Sequence, residues 1–186
     1  MSIKKALKEI HKIQMQNYYT ANEFRSNSII GKGRGMYWIW TDLTFEELKK
    51  TESKHNGEVP ISKLIEHRAE LENICKIKNG NFRVIYNGIG GYNGTEKKNN
   101  NSYNLRSRIN QEFNSADFRT GTLNIINRNN YDANNWGVSF VNFDEIQNIL
   151  VQLPKYDNTV SHYEEYANIL ELSWRIEFGH PILNRF

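Results

Sequence analysis

Apolar residues at Ile3, Ala6, Leu7, Ile10 and Ile13 recur at three- and four-residue spacing, which predicts an amphipathic helix from the N-terminus to about Tyr19. Gly31-Lys-Gly-Arg-Gly35 breaks that pattern, and the aromatic and β-branched run over 36–41 predicts a strand. Thr44-Phe-Glu-Glu47 has the form of a capping box and starts a brief helix. After a turn at His55-Asn-Gly-Glu58, residues 61–75 read as a second helix that includes Leu71, Ile74 and Cys75 on its apolar face.

Residues 82–86 (Phe-Arg-Val-Ile-Tyr) predict another strand, ended by glycines, and the Gly- and Asn-rich stretch 88–104 reads as a loop. Residues 105–113 read as a helix, and 123–126 and 136–141 as strands with an Asn-rich loop between them. A helix over 143–153 stops before Pro154, and a last one over about 159–178 is stopped by Gly179 and Pro181. No internal repeat is visible. Helices before, between and after a few short strands predict an α+β domain, a small central mixed or antiparallel sheet flanked by helices. The 186 residues suit a single domain over 1–186, with 1–34 as an N-terminal helical arm and 45–79 as a helical insertion.

Charge is unevenly spread. Residues 1–80 carry 14 Lys/Arg against 10 Asp/Glu, and 81–130 carry seven against three, whereas 131–186 carry three against eight. Basic front, acidic tail: the first suits phosphate binding and the second a metal, although ordinary solvated charge gives the same counts. The single cysteine, Cys75, excludes an internal disulfide and fits a reducing cytoplasm; its apolar setting marks it as core. No stretch is apolar enough to span a membrane, and the first ten residues lack the apolar core of an export signal. The glycine clusters match neither a P-loop nor a dinucleotide fingerprint, so no nucleotide cofactor is expected. His55, His67, His162 and His180 are scattered without metal-ligand spacing. Trp38, Trp40, Trp136 and Trp174 read as core.

Four patches carry chemistry when taken together. Gly35-Met-Tyr37 opens the first strand, Tyr86-Asn-Gly88 followed by Ile89-Gly90 ends the second, and Asn104-Leu-Arg-Ser-Arg108 starts a helix. Glu171 then lies in the last helix, ahead of Pro181-Ile-Leu-Asn184. In type and order these resemble the motifs of the GIY-YIG nucleases, over roughly residues 35–184. The resemblance implies Mg²⁺-dependent hydrolysis of phosphodiesters, with Mn²⁺ as a substitute metal. It implies Tyr37 as general base, Tyr86 as its neighbour in the pocket, Arg108 as phosphate stabiliser, Glu171 as metal ligand and Asn184 as a further site residue. A permanently charged planar guanidinium suits a phosphate, and a single carboxylate suits a Mg²⁺ that keeps most of its waters. A phenol with a pKa near 10 is a poor base at neutral pH unless a metal or arginine lowers it or a relay takes its proton.

The chain also departs from the family pattern. Residues 45–79 separate two strands that family members join by a tight hairpin, and the loop after Gly88 is long. Glu112 stands where His or Tyr is common; it either takes over that role or pairs with Arg108 at (i, i+4) spacing, the pairing being the simpler expectation. The interval from Glu171 to Asn184 is about one residue long for the family, which keeps Glu164, Glu165 and Glu177 as alternative metal ligands. With no separate DNA-binding domain in view, specificity falls to the nuclease domain itself. The expectation is a sequence-specific double-stranded DNA endonuclease of restriction type, working as a homodimer on two-fold sites. Lys97, Lys98, Arg106 and Arg119 are the expected DNA contacts. The alternatives are a phage or repair nuclease of loose specificity, or an inactive DNA-binding module of the same fold.

Overall fold

The Ser2 hydroxyl accepts a hydrogen bond from the Lys5 N–H and starts α1, Ile3–Gln16. The computed structural model describes residues 1–28, 30–31, 33–52, 59–91, 104–115, 121–153 and 160–184, with the side chains of 160–165 excepted. The elements after α1 are β1 (Tyr18–Thr20), α2 (Ala21–Ser26), β2 (Gly35–Thr41), α3 (Phe45–Lys49), α4 (Ile61–Arg68), β3 (Lys78–Asn79) and β4 (Phe82–Gly90). Then come α5 (Leu105–Phe113), β5 (Trp136–Asn142), α6 (Gln147–Leu150) and α7 (Val160–Phe178). Thr20 and Thr44 each close a full capping box, with Glu23 and Glu47. No helix among the described residues is long and apolar enough to cross a membrane.

The strands form one sheet in the order β1-β5-β2-β4-β3, antiparallel throughout. The fold is α+β. Strand β2 lies in the middle because its side chains are apolar on both faces: Met36, Tyr37, Trp38, Ile39 and Trp40 are all fully buried. Burying each stabilises the fold by about 1.5–3 kcal/mol, an advantage an edge position would forfeit. On one face Tyr37 and Ile39 pack with Phe24 of α2, Ile61 and Ile65 of α4, and Leu105, Ile109 and Phe113 of α5. On the other, Met36, Trp38 and Trp40 pack with Leu7 and Ile10 of α1 and with Leu170 and Trp174 of α7. All four tryptophans are core. Cys75 is 7% exposed, and burial pushes its thiol up to about 11, which suits an inert core residue.

A bulge in β4 shapes the site. Ile39 pairs with Tyr86 but Trp40 with Val84, so Ile85 is the extra residue. Its carbonyl is left for another partner and accepts from the Leu183 N–H at 2.9 Å. The segment Pro181–Asn184 is thereby drawn alongside β4, and Arg68 Nη1 fastens it by donating to the Ile182 and Asn184 carbonyls. Gly179, with φ +93°, ends α7 in the left-handed conformation and makes this return possible. A side chain there would strike Cys75, its Cβ lying 2.8 Å from the Cys75 Cα.

Several local expectations are corrected. The N-terminal helix stops at Gln16, and Tyr18–Thr20 forms an edge strand on β5 followed by a second short helix. The helix expected over 61–75 ends at Arg68; Ile74 and Cys75 are instead tied to His180. Residues 123–126 are no strand: Asn124 has φ +47° and Ile125–Asn127 form a 3₁₀ turn. Only Gln147–Leu150 of the expected 143–153 helix is α-helical. In the 45–79 insertion, α3 and α4 pack together, and buried Arg128 ties the insertion down by donating to the Thr51, Val59 and Leu123 carbonyls.

Candidate functional site

Gly35, Gly88 and Gly90 have physical reasons in this chain's own geometry. A Cβ on Gly88 would lie 2.5 Å from the Tyr37 hydroxyl, because Tyr37 and Gly88 are cross-strand partners and the phenol lies over that bare position. A Cβ on Gly90 would lie 2.8 Å from the Leu105 Cα, so that glycine lets the first turn of α5 sit directly on β4. A Cβ on Gly35 would run into the Val141 carbonyl. The Asn104 side chain caps α5, accepting from the Ser107 N–H at 2.8 Å, and Leu105 anchors the turn in the core. Arg108, one turn on, is thus delivered to the same stretch of β4.

Strand β3 pairs only with Phe82 and Arg83, and farther along that edge of β4 the segment ending at Asn184 takes its place. Along it lies a cavity of about 450 Å³ between α5 and α7, lined by Tyr37, Tyr86, Arg108, Glu171, Arg175 and Asn184 among others. Five of the six catalytic residues expected from sequence line this one cavity. The sixth, Glu112, is buried directly behind Tyr37.

Glu112 corrects one expectation. Its carboxylate does not pair with Arg108: Oε1 accepts from the Tyr37 hydroxyl at 2.9 Å and Oε2 from the Leu123 N–H at 3.0 Å. Arg108 Nη1 donates to Gln111 Oε1 at 2.6 Å. Burial raises the Glu112 carboxyl above its ordinary value, against the opposing pull of the Leu123 N–H and the Arg108 charge. The Tyr37 phenol is fully buried, and desolvation followed by the Glu112 charge pushes it well above 10, although Arg108 pulls the other way. A phenolate at Tyr37 is therefore not at hand near neutral pH, and the expectation that arginine lowers this pKa is outweighed. Tyr86 stands beside Tyr37 with ring centroids 6.2 Å apart, and burial raises its phenol too.

Glu171 lies on the cavity wall with its side chain 14% exposed. Burial raises its carboxyl, while Arg175, which donates to Oε1 at 2.8 Å, favours the ionised form. Its Oε2 accepts from no group among the described residues. Of the alternative ligands, Glu177 reaches Lys4 at 3.2 Å and is not among the cavity residues. The side chains of Glu164 and Glu165 lie outside the described part. Among the described residues no three His, Cys, Asp or Glu side chains gather as a metal cage. The donor set still fits Mg²⁺, which binds through one or two carboxylates and keeps its remaining waters.

Asn184 is 2% exposed and works as a clamp: its Oδ1 accepts from the Asn87 N–H at 2.9 Å and its Nδ2 donates to the Asn87 carbonyl at 2.7 Å. The Asn87 side chain in turn accepts from Arg175 Nε at 3.0 Å. Asn87 and Arg175 were not expected as site residues. The signal available was their position, inside the Tyr-x-Gly motif and one helical turn after Glu171.

Of the expected DNA contacts, Lys97, Lys98 and Arg119 lie outside the described residues. Arg106 is described, and its guanidinium is engaged within the fold. Its Nη1 donates to the Asn27 and Ile30 carbonyls at 2.7 and 2.9 Å, and its guanidinium lies 4.6 Å over the Phe24 ring. It staples the N-terminal arm to α5 and does not line the cavity.

Comparison with known proteins gives no matching family model, no matching curated protein and no matching solved structure.

Proposed function

We propose that this chain is a Mg²⁺-dependent double-stranded DNA endonuclease of GIY-YIG type, with recognition built into the one domain as in restriction enzymes and a homodimer as the acting form. The observation that supports this reading most is convergence: Tyr37, Tyr86, Arg108, Glu171 and Asn184 come from separate stretches of sequence and line a single cavity.

The hydrogen bond from Tyr37 to Glu112 suggests how a high-pKa phenol takes part. A water against the Tyr37 oxygen gives that oxygen a proton while Tyr37 passes its own to Glu112. The hydroxide so formed attacks phosphorus, the bond to the leaving oxygen breaks, and Glu112 ends as the neutral acid. A buried carboxylate with a raised pKa accepts that proton more readily than an exposed one. Arg108 faces the charge gathering on the non-bridging oxygens. Glu171 would hold Mg²⁺, which would supply Lewis-acid stabilisation at the leaving oxygen. Asn184 holds the β4 backbone at Asn87 and so the wall opposite α5.

One observation favours a second reading, an inactive DNA-binding module: the Tyr37 side chain is fully buried in this structure. The two are separated by incubating supercoiled plasmid with the protein in Mg²⁺ or EDTA. The nuclease reading expects nicked or linear DNA in Mg²⁺ and none in EDTA. Binding without cleavage in both supports the module, and cleavage that persists in EDTA rejects the metal-dependent mechanism.

A further inference from the structure

Arg175 is held more tightly than an ion pair requires. Its Nη2 donates to Glu171 Oε1 at 2.8 Å, and its Nε donates to Asn87 Oδ1 at 3.0 Å. The first contact alone makes the ion pair with Glu171. The second adds nothing to that pairing; it fixes the plane of the guanidinium. Asn87 can do this because it is fully buried and its backbone is gripped on both sides by Asn184. Among the described residues Arg175 Nη1 has no hydrogen-bond partner, and the side chain, 14% exposed, lines the cavity that Arg108 also lines.

Among the described lining residues two guanidinium groups stand against one carboxylate, a net positive charge that favours an anion. An arginine whose plane is set in advance loses less freedom on binding, and its unspent donors match the paired oxygens of a phosphate. We propose that Arg175 is a second phosphate-binding residue, which Asn87 orients to hold a non-bridging oxygen of the nucleic-acid backbone together with Arg108. The identity of the phosphate as the one that is cut rests on the nuclease reading; the contact itself does not require cleavage.

The test measures binding and rate separately on wild type, Arg175→Met and Arg175→Lys. Duplex DNA is titrated by fluorescence anisotropy in EDTA at several salt concentrations, and cleavage is followed in single turnover with Mg²⁺. Arg175→Met is expected to flatten the slope of log K against log salt by about one unit. Arg175→Lys is expected to keep that slope, since the charge remains, yet to cleave about tenfold or more slowly because the fork is gone. A purely structural arginine does not produce that split. An unchanged slope in a folded Arg175→Met variant overturns the proposal. So does a lysine variant that cleaves at the wild-type rate, which also decides the matter if the methionine variant does not fold. Inorganic phosphate titrated alone separates the two sources of this ligand: tight binding of phosphate with none of DNA overturns the backbone assignment. A wild type that never cleaves sinks the nuclease reading while the salt slope still decides the role of Arg175.

Discussion

On the proposed nuclease reading, Tyr37→Phe is expected to lower single-turnover cleavage of duplex DNA by about 10²-fold or more, the usual loss when a general base or its relay is removed. The ring and its packing survive, so the change is confined to the hydroxyl that donates to Glu112 at 2.9 Å. Removing that donor takes one hydrogen bond from the buried Glu112 carboxylate, which keeps that of the Leu123 N–H, at a cost of about 1–3 kcal/mol in stability. Glu112→Gln separates the two effects. It keeps an acceptor for Tyr37 but no longer takes a proton, so cleavage falls as far as in Tyr37→Phe. The sign of its stability effect follows from the raised Glu112 pKa. A carboxyl whose folded pKa exceeds its unfolded value favours the fold below the unfolded value and loses that contribution as pH rises through the folded one. Wild type therefore loses stability relative to Glu112→Gln as pH rises through that raised pKa, measured as the difference in thermal midpoint across a pH series. The wild-type rate should rise with pH as Glu112 ionises and then level off. A continued climb with the phenolate fraction would point to Tyr37 acting alone.

On the same reading, Arg108→Ala is expected to cost about 10²–10³-fold in single-turnover rate with protein in excess over DNA, because its charge would matter most when the phosphorane oxygens carry theirs. Arg108→Lys recovers only part of this, since a point charge does not reproduce the planar fork. The position is well built for such a task. Burial works against its charge, but Tyr37, Glu112 and Tyr86 around it more than compensate and keep it ionised. Normal cleavage by a saturated Arg108→Ala complex would reduce the residue to a binding contact.

The strands of the central sheet were legible from composition because β2, β4 and β5 are rich in aromatic and β-branched residues. Helix α5 was legible from its N-cap and periodicity. The edge strand at Tyr18–Thr20 was not: it is three residues long and continues the helical pattern before it, and pairing with β5 decides its state. Ile74 and Cys75 mimic a helical face, yet their apolar character serves packing beneath the C-terminal return, a contact remote in sequence. The same limit applies at the site. Motif order identified the residues that line the cavity, whereas the Glu112 partner could not be read from (i, i+4) spacing because Leu123 and Tyr37 compete for it across the fold. Asn87 became visible only through the bulge at Ile85, which brings Asn184 beside it.

The proposal that the cavity is a metal-dependent nuclease centre is tested most directly at Glu171, the one carboxylate among its described lining residues. Glu171→Gln and wild type are compared in single-turnover cleavage with Mg²⁺, with DNA affinity in EDTA measured alongside. The expected result is no detectable cleavage by Glu171→Gln with affinity within about threefold of wild type, since a metal ligand is lost and a phosphate contact is not. Undiminished cleavage by Glu171→Gln would contradict the account.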